Sequence, residues 1–168
     1  VAGLTLGGGI GLLRRAHGLS CDNLESVRII TADGKVREAS ETSEPDLFWA
    51  LRGGGGNFGI VSSFTFRLHE VGTDVFALSV AYPMDHGERL VRQFRDIASE
   101  MPREVSLNLE LMGVPAMLAF PEEIWGKPIV NLEGIYLGDP EVGARLLEPL
   151  RKLDEPLWDE SGVSSYTA

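Results

Sequence analysis

The sequence predicts an α+β fold in two parts. Residues 1–72 carry short strands and one helix, and 73–168 an antiparallel sheet covered by helices on one face. Three observations predict it. Strand-like segments alternate apolar and polar residues, as sheets with one buried face do. Apolar stripes at helical spacing lie between them. Composition also changes near Gly72: twelve of the twenty glycines fall in the first 60 residues, and 1–72 carries 7 basic and 8 acidic side chains against 8 and 17 in 73–168.

The elements follow in order. Val27-Arg28-Ile29-Ile30-Thr31 is β-rich, Asp33-Gly34 is a turn dipeptide, and 36–39 can return antiparallel. Ser43 is placed to cap a helix over 44–52, with Pro45 in its first turn and Leu47, Phe48 and Leu51 inward. Glycines 53–56 end it, and a strand resumes over 60–68 with Phe64, Phe66 and Leu68 on one side. Beyond Gly72, Phe76, Leu78, Val80 and Tyr82 alternate as a strand, and Asp85 with Glu88 has capping-box spacing. Leu90, Val91, Phe94, Ile97, Ala98 and Met101 form the stripe of the following helix. Val105, Leu107, Leu109 and Leu111 alternate again, and two further strands are expected near 116–120 and 129–137. Asp139-Pro140 opens a last helix with Ala144, Leu147 and Leu150 inward.

Composition excludes several classes. An apolar fraction of 43% and a charged fraction of 24% over 168 residues are those of a folded chain. No apolar run approaches the roughly 20 residues of a membrane helix. A net charge of -10 argues against nucleic acid or an anionic membrane as partner. A single cysteine, Cys21, excludes an internal disulfide and a cysteine-based zinc site. The chain opens on Val1 without the charge pattern of a signal peptide and stops as abruptly, so it is expected to be an internal stretch of a longer protein.

The glycine clusters carry the chemistry. Gly7-Gly8-Gly9-Ile10-Gly11 fails the dinucleotide fingerprint, because Leu12 and Arg14 stand where the third glycine belongs. A phosphate loop fails too, since Gly126-Lys127 is followed by Pro128. Residues without Cβ let backbone N–H groups approach a ligand, so a tight turn and a cofactor contact both stand open. Gly53-Gly54-Gly55-Gly56 before Asn57-Phe58-Gly59-Ile60-Val61 exceeds the needs of one helix C-cap. It points to backbone lying flat against a ligand, with a glycine-rich cap as the alternative. Asp22-Asn23 suits a turn or cap. Cys21 has no His or Lys beside it in sequence and reads as structural. His17, His69 and His86 lack metal or triad spacing, so no metal site and no catalytic residue is assigned. Glu122-Glu123 and Asp154-Glu155 read as solvated, and Trp125 and Trp158 as core or rim.

Together these pieces match a family. Gly3-Leu4-Thr5-Leu6-Gly7-Gly8-Gly9-Ile10-Gly11, Arg15-Ala16-His17-Gly18-Leu19, Asp22-Asn23, Ala32-Asp33-Gly34, and the run from Asp46 through Arg52 to Val61 stand in the right order. The chain resembles FAD-linked oxidases of the vanillyl-alcohol-oxidase (PCMH) type, nearest the berberine-bridge-enzyme-like and oligosaccharide-oxidase branch. The motifs cover 1–72, the second part of a PCMH-type FAD-binding domain. Element order alone makes 73–168 the start of an incomplete substrate domain. The resemblance implies FAD as cofactor, with the backbone of Gly3, Gly7, Gly8, Gly9, Gly11, Asn57, Gly59, Ile60 and Val61 along the flavin and Asp22 and Asn23 shaping the same pocket. It implies dehydrogenation of an alcohol or amine carbon, with hydride passing to the flavin and oxygen reoxidising it. The partners would be oxygen and a small hydroxylated substrate: a sugar, alcohol or secondary metabolite.

The departures are definite. The resemblance places the family's Arg-Ser-Gly-Gly-His-like pyrophosphate loop and its linking cysteine before Val1, Cys21 sits too late to be the link, the segment that returns to close the flavin site is missing, and the catalytic base, often a tyrosine of the substrate domain, is not assigned. The isolated chain is therefore expected to be inactive. Two rivals stand beside this reading. One is a flavin subunit passing electrons to a partner, whose usual sequence would lack the Asp-Leu-Phe-Trp-Ala-Leu-Arg-Gly run. The other is a non-catalytic folding or interaction module whose glycines serve turns.

Overall fold

The computed structural model describes residues 1–117 and 120–166. The chain divides into two compact units, Val1–Glu70 and Val71–Ala168.

The first unit is a three-stranded antiparallel sheet with helical turns ahead of it. Helices α1 (Ala2–Leu6) and α2 (Arg14–His17) and a 3-10 turn (Ser20–Asn23) lead into β1 (Leu24–Ile30), β2 (Val36–Ser40), α3 (Pro45–Leu51) and β3 (Ile60–Phe66). The strand order is β2-β1-β3. Val27, Ile29 and Ala39 alternate inward and meet Phe48 and Leu51 of α3 together with Leu6. That period-two against period-3.6 match is what makes the layer.

Three expectations for this unit are corrected. The helical turns at 2–6, 14–17 and 20–23 are absent from the sequence reading, which saw strands and a single helix. Leu68 does not share the buried side of Phe64 and Phe66, because β3 ends at Phe66 and Leu68 is exposed. Ser43 does not cap α3. The N-cap is Glu44, at a left-handed φ of 49°, and makes no side-chain cap bond. Ser40 N donates to Ser43 O at 2.7 Å, closing a turn, and the Ser43 hydroxyl donates back to Glu38 O at 3.0 Å. Arg37 holds the Glu44 carboxylate at 2.8 Å in its place.

The second unit is an antiparallel sheet of order β5-β6-β4-β7, with β8 also on β4. Its elements are β4 (Asp74–Pro83), α4 (Gly87–Glu100), β5 (Val105–Gly113), β6 (Pro128–Tyr136), α5 (Pro140–Arg151), β7 (Trp158–Asp159) and β8 (Gly162–Ser165). Phe76, Leu78, Val80 and Tyr82 of β4 and Val130 and Leu132 of β6 pack with Leu90 of α4 and Leu147 and Leu150 of α5. One face of the sheet is thus covered by both helices. Asp139 caps α5, its carboxylate accepting from Glu141 N at 2.8 Å. Tyr82 is fully buried, and its hydroxyl donates to Leu150 O at 2.7 Å, satisfying a carbonyl in the last turn of α5.

Here too the structure departs from expectation. Asp85 and Glu88 form no capping box: residues Met84–His86 make a 3-10 turn, His86 is the N-cap of α4, and Glu88 pairs with Arg92 at 2.8 Å. No strand forms at 116, 117 or 120, while 118 and 119 lie outside the described residues. Strands β7 and β8 were not foreseen. Leu107 and Leu109 pack on the core, whereas Val91 and Leu111 stay exposed.

Candidate functional site

In the first unit the two glycine clusters meet. Gly55 N donates to Leu6 O at 2.8 Å, joining the segment after α3 to the end of α1. Arg52 then anchors the 3-10 turn, its Nε donating to Cys21 O at 3.0 Å and its Nη2 lying 3.6 Å from Asp22 Oδ1. Sequence reasoning left Arg52 without a role, although it stands inside the motif run.

The glycines divide into two kinds. Gly8 and Gly9 have φ of 106° and 84°, and a Cβ on Gly9 would lie 2.5 Å from Ser20 Cβ. Their carbonyls accept from Cys21 N and Ser20 N, both at 2.9 Å. Gly59 has φ 146°, and a Cβ there would sit 2.2 Å from Ile30 O. These three are required by the fold itself. Gly3, Gly11, Gly53 and Gly56 have nothing within 4 Å of an added Cβ. Among the described residues, the N–H groups of Gly9, Ile10 and Gly11 have no backbone acceptor. Ile10 beside them is 72% exposed, and Leu4 is exposed as well.

Bare peptide donors next to exposed aliphatic side chains suit a ligand with an extended aromatic surface and polar edges. On that observation the segment fits part of a flavin dinucleotide. Nearby, Trp49, Ala50, Arg52, Gly53, Gly54 and Phe58 line a hollow of about 260 Å³. Ile60 is exposed, Val61 packs on the core, and Asn57 Nδ2 donates to Gly54 O at 2.9 Å.

Asp22 and Asn23 are spent internally. Leu19 N donates to Asp22 Oδ2 at 2.8 Å. Asn23 Nδ2 donates to the carbonyls of His17 and Leu19, and its Oδ1 lies 2.5 Å from His69 Nε2. The His69 ring stacks on His17 with centroids 4.0 Å apart. Both residues shape this region through its turns, although the Asp22 carboxylate stays about half exposed. Cys21 is buried; desolvation, then Asp22, pushes its thiol up, which suits a structural residue.

In the second unit, the sheet face turned away from α4 and α5 carries a small apolar cluster of Ala81, Val114, Ile124 and Ile129 and, beside it, polar residues. Val130 and Leu132 face the helices, so Asn131 and Glu133 face the other way. Asn131 is 1% exposed; its Nδ2 donates to Glu133 Oε1 at 3.0 Å and its Oδ1 has no partner. A buried acceptor left unpaired costs about 1–3 kcal/mol. Glu133 is half-buried and opposes Ser79 on β4 and Asn108 on β5. Sequence reasoning missed this pair. The available signal was two adjacent same-face polar residues between Ile129 and Ile135 in a strand otherwise buried. Elsewhere Asp154, expected to be solvated, accepts from Arg89 and, at 2.5 Å, from His86 Nδ1. Among the described residues no group of His, Cys, Asp and Glu could hold a metal, and no helix is long and apolar enough to cross a membrane.

Comparison with known proteins bears on both units. A family described as an FAD binding domain matches residues 1–40. The FAD-linked oxidoreductase azaG of Aspergillus niger is 39% identical over 177 residues, covering 100% of this chain and 34% of that protein. Glucooligosaccharide oxidase of Sarocladium strictum is 34% identical over 155 residues, 90% of this chain and 28% of its own. The structure of 6-hydroxy-D-nicotine oxidase from Arthrobacter nicotinovorans matches with a TM-score of 0.81 at 30% identity, over 98% of this chain and 35% of that one. The chain spans about a third of the length of the relatives it matches. Along its length it is a homologue of FAD-linked oxidoreductases and shares their fold, and the cofactor these matches indicate is FAD.

Proposed function

We propose that this chain serves an FAD-dependent oxidoreductase acting on an alcohol or amine carbon. Residues 1–72 contribute the later part of the flavin-binding domain and 73–168 the start of the substrate domain. The chemistry FAD supplies there is uptake of a hydride from that carbon, with oxygen as the reoxidant. The chain's own residues bind and exclude water. The N–H groups at 9–11 would donate to polar atoms of the cofactor, and Leu4 and Ile10 would pack against its apolar surface. Arg52 keeps the 20–23 turn in register with the glycine segments.

One observation carries this reading: an unpaired run of peptide donors lies beside an exposed isoleucine, in a unit that matches an FAD binding domain. Gly11→Val tests it cleanly, because a side chain there meets nothing and the backbone is not left-handed. In the protein at the full length of its relatives, visible flavin absorbance per polypeptide should fall several-fold, with circular dichroism unchanged. Full flavin occupancy in that variant would remove the contact from the reading.

A further inference from the structure

Arg52 is the C-cap of α3, and its guanidinium carbon lies over the ring of Phe48, 5.5 Å from the centroid. Phe48 belongs to the buried core of the first unit, so the cation rests on a fixed support. From there it reaches a turn far earlier in the chain, with Nε on Cys21 O and Nη2 facing Asp22 Oδ1. Asp22 is fixed in the same turn, its other oxygen accepting from Leu19 N. Two donors on one planar fork thus meet two acceptors on successive residues. A lysine would offer one flexible point charge in place of that fork.

What the turn does follows from peptide geometry. Ser20 N and Cys21 N donate to Gly9 O and Gly8 O, both at 2.9 Å. In a trans peptide the N–H points opposite to the C=O of the same plane. Holding Gly8 O therefore aims the Gly9 N–H away from the turn, and holding Gly9 O does the same for Ile10. These are two of the three N–H groups that, among the described residues at 9–11, have no backbone acceptor. We infer that Arg52 is a positioning residue for the cofactor: through the 20–23 turn it sets the Gly9 and Ile10 peptides in their ligand-facing orientation before a ligand arrives. The inference deepens the oxidoreductase reading and rests on it for the identity of the ligand. Gly8 and Gly9, at φ of 106° and 84°, have no side chains to restrict their peptides, so the orientation comes from outside the glycine segment. Donors set in advance spare the complex the entropy of ordering them, and that gain is read as affinity.

The protein at the full length of its relatives, made under flavin limitation, would be titrated with FAD and its bound flavin read from visible absorbance after gel filtration. Arg52→Lys should raise the half-saturating FAD concentration about tenfold with circular dichroism maintained. Arg52→Ala should raise it at least as far, and millimolar ethylguanidinium should restore it where ethylammonium does not. Amide hydrogen exchange at Ser20 and Cys21, read by mass without flavin, should speed up in both variants and slow again in Arg52→Ala with ethylguanidinium. Arg28→Ala, which removes an exposed ion pair with Glu38 in the same unit, should change neither readout. Unchanged FAD uptake in the Arg52 variants would overturn the inference, as would equal rescue by ethylammonium or weakened uptake with exchange at Ser20 and Cys21 unaltered. If Arg52→Ala does not fold, Arg52→Lys decides alone. Failure of the parent to take up FAD would instead overturn the oxidoreductase reading. The exchange measurement needs no flavin and would still decide whether Arg52 holds the turn.

Discussion

The two units treat apolar surface in opposite ways. Among the described residues, ten of the sixteen large apolar side chains left exposed lie in the first unit, although it is the smaller one. Its core cluster holds seven buried residues against eleven in the main cluster of the second. The first unit is also the near-neutral one, the 7 basic and 8 acidic side chains of residues 1–72 almost cancelling. Apolar surface left on a glycine-rich scaffold of near-zero net charge reads as surface meant to be covered. The second unit buries apolar groups on both faces of its sheet, one cluster under the helices and a smaller one around Ala81, Val114, Ile124 and Ile129, and places a buried amide holding a carboxylate beside the smaller one. Motif thus locates the interesting surface in one unit, and a departure from pattern locates it in the other.

The sharpest way to break this comparison is Gly59→Val. Left-handed φ costs a β-branched residue about 1–3 kcal/mol, and overpacking against Ile30 O adds about 1–3 kcal/mol. The first unit should lose its fold, seen as loss of its thermal transition, while the second retains its own. Gly11→Val should leave both transitions in place. If both variants melt alike, the division of glycines into those the fold needs and those it leaves open is wrong.

Tyr82→Phe probes the second unit at its centre. The buried hydroxyl, whose pKa burial pushes up to about 12, is the partner of Leu150 O. Removing it leaves that carbonyl unpaired and should cost about 1–3 kcal/mol in denaturant unfolding. A cost near zero would mean that water caps α5 equally well.

Acid should act on the same unit. Asp154 has its pKa lowered, first by the Glu155 N–H, then by His86, with Arg89 adding to it. A carboxylate depressed in the folded state stabilises above its unfolded pKa and loses that contribution as pH falls through the folded one. From about pH 4 downward the second unit's midpoint should therefore drop more steeply in the parent than in Asp154→Asn. Parallel pH profiles would show that Asp154 contributes nothing.

Much of this was legible in advance because alternation survives burial. The strands at 24–30, 36–40, 74–83, 105–113 and 128–136 and the three longer helices all carry their period in the sequence. What was illegible was short or set by distant partners. Ala2–Leu6 is a single turn, too brief for any period to show. Trp158–Asp159 and Gly162–Ser165 are strands only because β4 offers them an edge. The glycine clusters were visible as motifs, but the separate duties of Gly9 and Gly11 depend on Ser20, which nothing in local sequence announces. Asn131 and Glu133 looked like ordinary outward residues until both neighbouring strands were in place.

The smallest effect tests the start of α3. An N-cap serine bonding the first turn would cost about 1 kcal/mol when replaced by alanine. Ser43 instead donates to Glu38 O from an exposed position. Both groups can turn to water, so Ser43→Ala should cost only about 0.5 kcal/mol, the low end for a single hydrogen bond. Glu44 carries the strain at this corner, and Glu44→Gly would relieve about 1 kcal/mol of left-handed backbone while giving up an exposed ion pair with Arg37 worth less than about 1 kcal/mol. Glycine also widens the unfolded ensemble by a similar amount, so the net change should lie near zero. A loss of about 1 kcal/mol or more for Ser43→Ala, with Glu44→Gly neutral, would return the cap to Ser43 and move the start of the helix with it.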